Sequence, residues 1–67
     1  MYAITEKESG QWVSEGCLDR TKWNGTHFTN FFPHAAVFHE KEEAESALKG
    51  LSRRFEGRDF KVEKLGA

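Results

Sequence analysis

The sequence predicts a small α+β domain: an antiparallel sheet of three to four strands with one amphipathic helix, at about residues 40–55, packed on one face. Three observations carry that expectation. Ala44, Ala47, Leu48, Leu51 and Phe55 recur at helical spacing. Tyr2 and Ile4 near one end, and Phe60 and Val62 near the other, alternate with small or polar residues as strand residues do. A length of 67 residues allows one domain, 1–67, and one core.

The helix is the clearest element. Its apolar positions fall at i, i+3, i+4, i+7 and i+11, one continuous stripe. Glu40, Glu42, Glu43 and Glu45 crowd the N-terminal half, and Lys49, Arg53 and Arg54 the C-terminal half. Both biases complement the helix dipole, each charge contributing about 0.3–1 kcal/mol. Lys41–Glu45 and Glu45–Lys49 are spaced for ion pairs on the exposed side. Gly57 is placed to end the helix in a left-handed residue. Two local choices disagree. Gly50, in mid-helix, costs about 1 kcal/mol against Ala and is expected to permit close approach to the sheet. His39-Glu40 stands where Ser, Thr, Asp or Asn would cap the start.

The remaining elements follow in order. Tyr2–Glu6 and Gln11–Glu15, separated by the turn Glu8-Ser9-Gly10, read as two strands of a hairpin. Tyr2 and Ile4 mark the buried side of a half-buried first strand. Gly16 to Lys22 is polar apart from Cys17 and Leu18 and has no period. Asn24-Gly25 is the preferred pair for a type I′ turn, which predicts a second hairpin or a tight turn into residues 26–32. There Thr26, Phe28 and Asn30 face one way, and His27, Thr29 and Phe31 the other. Pro33 ends this element and keeps Phe32 extended. Ala35-Ala36-Val37-Phe38 is an apolar run leading into the helix. Asp59 to Leu65 is the last strand, and Gly66-Ala67 a tail. The order is β-β-(β)-α-β.

Composition narrows the function classes. The formal charge is −1, and the C-terminal half balances its acidic and basic residues, so no basic excess drives phosphate binding. Cys17 is the only cysteine, which excludes an internal disulfide and fits a reducing compartment. No apolar run approaches the ~20 residues a membrane span needs. The N-terminus has no basic segment followed by an apolar one, so it does not read as a signal peptide. A cytoplasmic protein, complete from Met1, is expected.

Chemistry-bearing constellations are sparse. Cys17, His27, His34 and His39 match no compact zinc spacing, so no metal is expected. No nucleophile signature surrounds Cys17, which reads as a small buried hydrophobe. No glycine-rich phosphate cradle is present, and the paired carboxylates are solvated helix glutamates. Neither an enzyme nor a cofactor is expected. Nine aromatic residues in so short a chain are more than its core needs, which leaves a surplus on the surface. Interface cores favour Trp, Tyr, Phe and Arg. The candidate partner-binding residues are therefore Trp12, Trp23, Phe31 and Phe32 as anchors on a sheet face, with Arg53 and Arg54 as rim charge. The partner expected is a larger protein or complex, with a homodimer as another occupant. A single-stranded nucleic acid is the rival. It would stack on Trp12, Trp23, Phe28 and Phe31 and meet Arg53, Arg54, Arg58, Lys61 and Lys64, although Glu56, Asp59 and Glu63 cancel much of that field.

Tyr2-x-Ile4, the turn into Gln11-Trp12-Val13, Ala36-Val37-Phe38, Glu42-Glu43-Ala44-Glu45 with Leu48, and Val62-Glu63 together resemble short proteins of phages and prophages. Those read as two strands, an A-x-F lead, an E-E-A helix and a final V-x-x-V strand. The resemblance covers most of the chain and rests on fold-determining residues. It implies a stoichiometric inhibitor of a host or defence complex, of the anti-CRISPR kind, acting in the host cytoplasm. It assigns no catalytic or binding position.

Overall fold

A computed structural model describes residues 1–66; Ala67, read as the end of the tail, lies outside the described residues. The fold is α+β: a five-stranded antiparallel sheet with one long helix packed on it. In chain order the elements are β1 (Tyr2–Glu6), β2 (Trp12–Val13), α1 (Glu15–Leu18), β3 (Phe28–Thr29), β4 (Val37–Phe38), α2 (Lys41–Arg54) and β5 (Phe60–Lys64). One-turn 3₁₀ segments at Arg20–Lys22 and Phe32–His34 join α1 to β3 and β3 to β4.

β1 is the central strand. β5 pairs along one edge in the register Ile4↔Val62, and the other edge is shared by β2, at Thr5↔Trp12, and β4, at Ala3↔Val37. β3 adds to β2 through Trp12↔Thr29 and Val13↔Phe28. Directly paired residues share a face. Tyr2, Ile4, Val13, Phe28, Phe60 and Val62 therefore face α2, whereas Ala3, Thr5, Trp12, Thr29 and Val37 face away from it. The expected half-buried pattern of β1 is exceeded, because Ala3 and Thr5 are buried too. A central strand is covered by its neighbours' side chains on both faces.

The core lies between α2 and the sheet. Ile4, Val13, Cys17, Leu51 and Phe60 form its buried centre, ringed by Phe28, Phe38, Ala47, Leu48, Phe55 and Val62. Each large apolar side chain moved fully out of water contributes roughly 1.5–3 kcal/mol. All five residues of the helical stripe thus face the sheet or its rim, with Ala44 and Leu51 fully buried. The helix ends as its charges and Gly57 require: Phe55 is the C-cap and Gly57 turns at φ 88°. Its start is capped from within. The Glu43 carboxylate accepts the Glu40 backbone N–H at 3.2 Å, half of a capping box supplied by two glutamates.

Several local expectations are corrected. Gly50 makes no close approach, since a Cβ there would meet nothing within 4 Å. Neither Lys41–Glu45 nor Glu45–Lys49 closes; the ion pairs among the described residues are Arg58–Glu6 and Lys61–Glu63. β2 stops at Val13, because Ser14 turns the chain into α1 by accepting the Gly16 N–H on its hydroxyl. Asn24-Gly25 is no type I′ turn: only Gly25 has positive φ, and Asn24 instead accepts the Thr26 N–H on its side-chain oxygen. Phe32 is drawn into a 3₁₀ turn with Pro33, and the extended residue is Phe31. The run into the helix is itself strand β4, extended by a bridge between Ser14 and Ala35.

Candidate functional site

The segment between β2 and β4 is shaped by two polar caps. Ser14 starts α1, and the Asp19 carboxylate then accepts the Thr21 N–H at 3.0 Å and the Thr21 hydroxyl at 2.7 Å. Those two bonds from Thr21 hold the Asp19 carboxyl below its ordinary pKa. The chain then reaches Trp23, whose Cα lies so near Gly16 that a Cβ on Gly16 would stand 2.7 Å away. α1 and Trp23 thus meet backbone to backbone, which only glycine permits.

This arrangement turns the Trp23 indole outward over His27, with ring centroids 4.8 Å apart. His27 in turn packs edge-on against Phe55, at 5.3 Å, beside the helix-side core. Arg54, in the last turn of α2, crosses to α1 and donates to the Cys17 carbonyl at 2.7 Å and toward its thiol at 3.7 Å. The guanidinium also lies 5.1 Å from the Phe55 ring centre. Together these parts enclose an open cleft of about 530 Å³. It is lined by Gly16 and Cys17, by the apolar Leu18 and Trp23, and by the polar Arg20, His27 and Arg54. Burial pushes the Cys17 thiol above its ordinary pKa, and the nearby Arg54 only partly offsets this. A thiol held neutral is a poor nucleophile.

A second surface lies on the sheet face turned away from α2. The paired row Lys61, Thr5, Trp12 and Thr29 crosses four strands there. Trp12 is half-buried, and Phe32 packs against it edge to face at 5.0 Å. Phe31 stands on the neighbouring loop against His34, which Asn24 contacts at 3.1 Å. A groove of about 420 Å³ shares Leu18 with the cleft and is lined further by Pro33, Val37 and Phe38 and by the charged Glu15, Asp19 and Lys22.

The sequence-predicted residues are thus divided. Trp12, Phe31 and Phe32 belong to the sheet face and its loop, as expected. Trp23 does not; it walls the cleft with Arg54. Arg53 is exposed on α2 and makes no ion pair among the described residues. The stacking platform proposed for nucleic acid does not assemble. Phe28 lies inward with Phe55 and Phe60, Arg58 pairs with Glu6, and Lys61 with Glu63. Among the described residues no three His, Cys, Asp or Glu side chains gather as a metal site, and no helix is long and apolar enough to cross a membrane.

Leu18, Arg20 and Val37 carry no binding signal in the sequence, and His27 reads there only as a metal ligand that the spacing does not support. Ser14 and Asp19, two good cap residues five apart in an otherwise patternless stretch, carry the one signal of the turns that place Leu18 and Arg20. Nothing in the linear spacing joins α1 to Arg54, thirty-seven residues beyond Cys17. No protein family, curated protein or solved structure matches this chain.

Proposed function

We propose that this protein is a non-enzymatic binding module that docks on a larger protein or complex and blocks it, in the manner of a phage-type stoichiometric inhibitor. One observation carries this reading. Apart from Met1, every exposed large apolar residue lies within residues 18–37: Leu18 at 42%, Trp23 at 50%, Phe31 at 57%, Phe32 at 42% and Val37 at 40% relative exposure. They line adjoining features, with Phe31 next to Phe32 in the chain. Trp23 and Leu18 wall one cleft, Leu18 and Val37 one groove, Val37 and Trp12 share a sheet face, and Trp12 touches Phe32. Scattered apolar residues need no explanation, but a joined belt of them marks an interaction surface. A small domain with thin stability margins keeps such a belt wet only at a cost in solubility.

Phe31, Phe32 and Trp23 are the anchors, and Arg53, exposed on α2, adds charge that acts on association rate more than affinity. Trp12 contributes mainly by supporting Phe32. The partner fitted is a folded protein whose apolar patch borders an acidic side chain, because the cleft next to the belt is lined by two arginines. The nucleic-acid reading has less support, since its platform is dispersed over two faces.

The test is affinity capture from the lysate of the native cell, with quantitative mass spectrometry and variant baits. Wild-type protein is expected to retain one partner in equimolar amount. The double variant Phe31→Ser with Phe32→Ser, and separately Trp23→Ala, should melt as wild type and lose that partner. Equal capture by wild type and both variants would refute the assignment. Self-association that disappears in the double variant would replace it with a homodimer.

A further inference from the structure

The geometry points to a second element of recognition: the cleft between α1, Trp23 and the end of α2 is a carboxylate pocket that receives an acidic residue of an extended peptide segment, whose apolar residue two positions along lies in the adjoining groove. This rests on the protein-binding reading above and names the chemistry of the partner. The protein as a whole carries a formal charge of −1, yet the cleft wall holds Arg20, Arg54 and His27 and no acidic residue. Among the described residues neither arginine is paired with a carboxylate; Arg54 is held in place by the Cys17 carbonyl, and Arg20 projects from an exposed turn. A guanidinium held by a neutral carbonyl keeps its charge and its remaining N–H donors for a carboxylate. Trp23 and Leu18 supply apolar walls beside those donors.

The same observations favour a peptide over a small anion. The cleft is open, and Leu18 is a wall shared with the groove of Pro33 and Val37. A ligand seated on the arginines therefore continues past Leu18 into a groove that offers Pro33, Val37 and Phe38 to an apolar side chain; Glu15 and Asp19, which also line it, place the ligand's carboxylate in the cleft and not in the groove. An extended chain does so naturally, because side chains two residues apart lie on one face, about 6.6 Å from one another along its length. A mononucleotide would fill the cleft and stop there.

The test is an NMR titration of the whole isotope-labelled protein with the capped peptide acetyl-Glu-Ser-Leu-Ser-amide, which puts its one carboxylate and its leucine on the same face when extended. Its counterpart with Gln in place of Glu, and AMP, serve as comparison arms. The acidic peptide is expected to shift the Trp23 indole N–H, the Arg20 and Arg54 side-chain N–H signals, and the Leu18 and Val37 methyls together, saturating at about millimolar concentration. The Gln peptide should bind about tenfold more weakly, the loss of one charge-assisted contact. Arg20→Gln should weaken the acidic peptide by a similar factor of about ten while leaving the remaining backbone spectrum in place. Arg20 is the residue to alter because Arg54 also holds α1. No saturable shift at Trp23, or equal binding of the Gln peptide, would overturn the proposal. Saturation by AMP without movement of Leu18 and Val37 would overturn it in favour of a nucleotide site. If the Phe31/Phe32-dependent partner is still captured by Arg20→Gln at unchanged affinity, the pocket assignment falls and the protein-binding reading stands. If capture never depended on Phe31 and Phe32, the reading itself falls first.

Discussion

Gly16→Ala isolates the contact that sets the cleft. The added Cβ would stand 2.7 Å from Trp23 Cα, 2.8 Å from the Lys22 carbonyl oxygen and 3.2 Å from the Lys22 carbonyl carbon. Favourable carbon contacts begin near 3.5 Å, so the Lys22–Trp23 backbone must withdraw by about 0.8 Å. All three neighbours are main-chain atoms, which have no rotamer to change. Overpacking of this kind costs typically about 1–3 kcal/mol. Exchanging glycine for alanine in a helix returns about 0.5–1 kcal/mol. The net expectation is a loss of about 1–2 kcal/mol, and a Tm lower by roughly 5–15 °C for a domain of this size. Urea and thermal unfolding followed by circular dichroism measure it. The emission of Trp23, compared in a Trp12→Phe background, should change as well, because the indole moves with its backbone. A Gly16→Ala variant as stable as wild type, with unchanged Trp23 emission, would refute the close approach and the account of how the cleft is built.

Gly50→Ala is the opposite case: the new Cβ meets nothing within 4 Å, so the variant should gain about 0.5–1 kcal/mol in urea unfolding, and a loss would reveal a contact at that position. The Glu6 carboxyl is held below its ordinary pKa by hydrogen bonds from Ser9 and Arg58, and by the Arg58 charge, against a desolvation that opposes them. A depressed carboxyl stabilises the fold above the unfolded glutamate pKa and loses that contribution as pH falls through the folded value. Stability should therefore drop below about pH 4. Glu6→Gln should flatten that drop and cost about 1 kcal/mol or less at neutral pH, since solvent screens the half-exposed Arg58; a variant with the wild-type acid response would contradict this. Cys17 is buried with its thiol pKa raised, so a disulfide reagent at mildly alkaline pH should modify native protein at least about tenfold more slowly than urea-unfolded protein. Equal rates would place the thiol at the surface.

Much of the scaffold was legible in the chain because its signals are local and periodic. The stripe from Ala44 to Phe55 needs only the repeat of a helix to be recognised, and α2 runs Lys41–Arg54 with Phe55 as its cap. The alternation in Tyr2–Glu6 and Phe60–Lys64 likewise marked the two longest strands. The middle was harder. β2, β3 and β4 have two residues each, too short for any period to declare itself. Their strand character comes from pairing with β1 and with one another. The Asn24-Gly25 signal was real as a turn and wrong in type, because the Asn24 side chain bonds Thr26 and His34 instead of entering the left-handed region.

The candidate surface divides in the same way. An excess of rings over core volume follows from counting, and Trp23, Phe31 and Phe32 are the exposed ones. Which rings they are depends on neighbours. Phe28 faces inward because its pairing with Val13 sets the helix-side face, and Trp12 is half covered because Phe32 folds back on it. Arg54 sat in the helix as one of several basic residues; its place beside Cys17 depends on where the end of α2 meets α1. Local free energies along the chain determine that a helix forms at residues 41–54 and that strands lie at its two ends. Only the tertiary structure decides which side chains, far apart in sequence, converge on one cleft, because packing energies depend on distances that the order of residues does not contain.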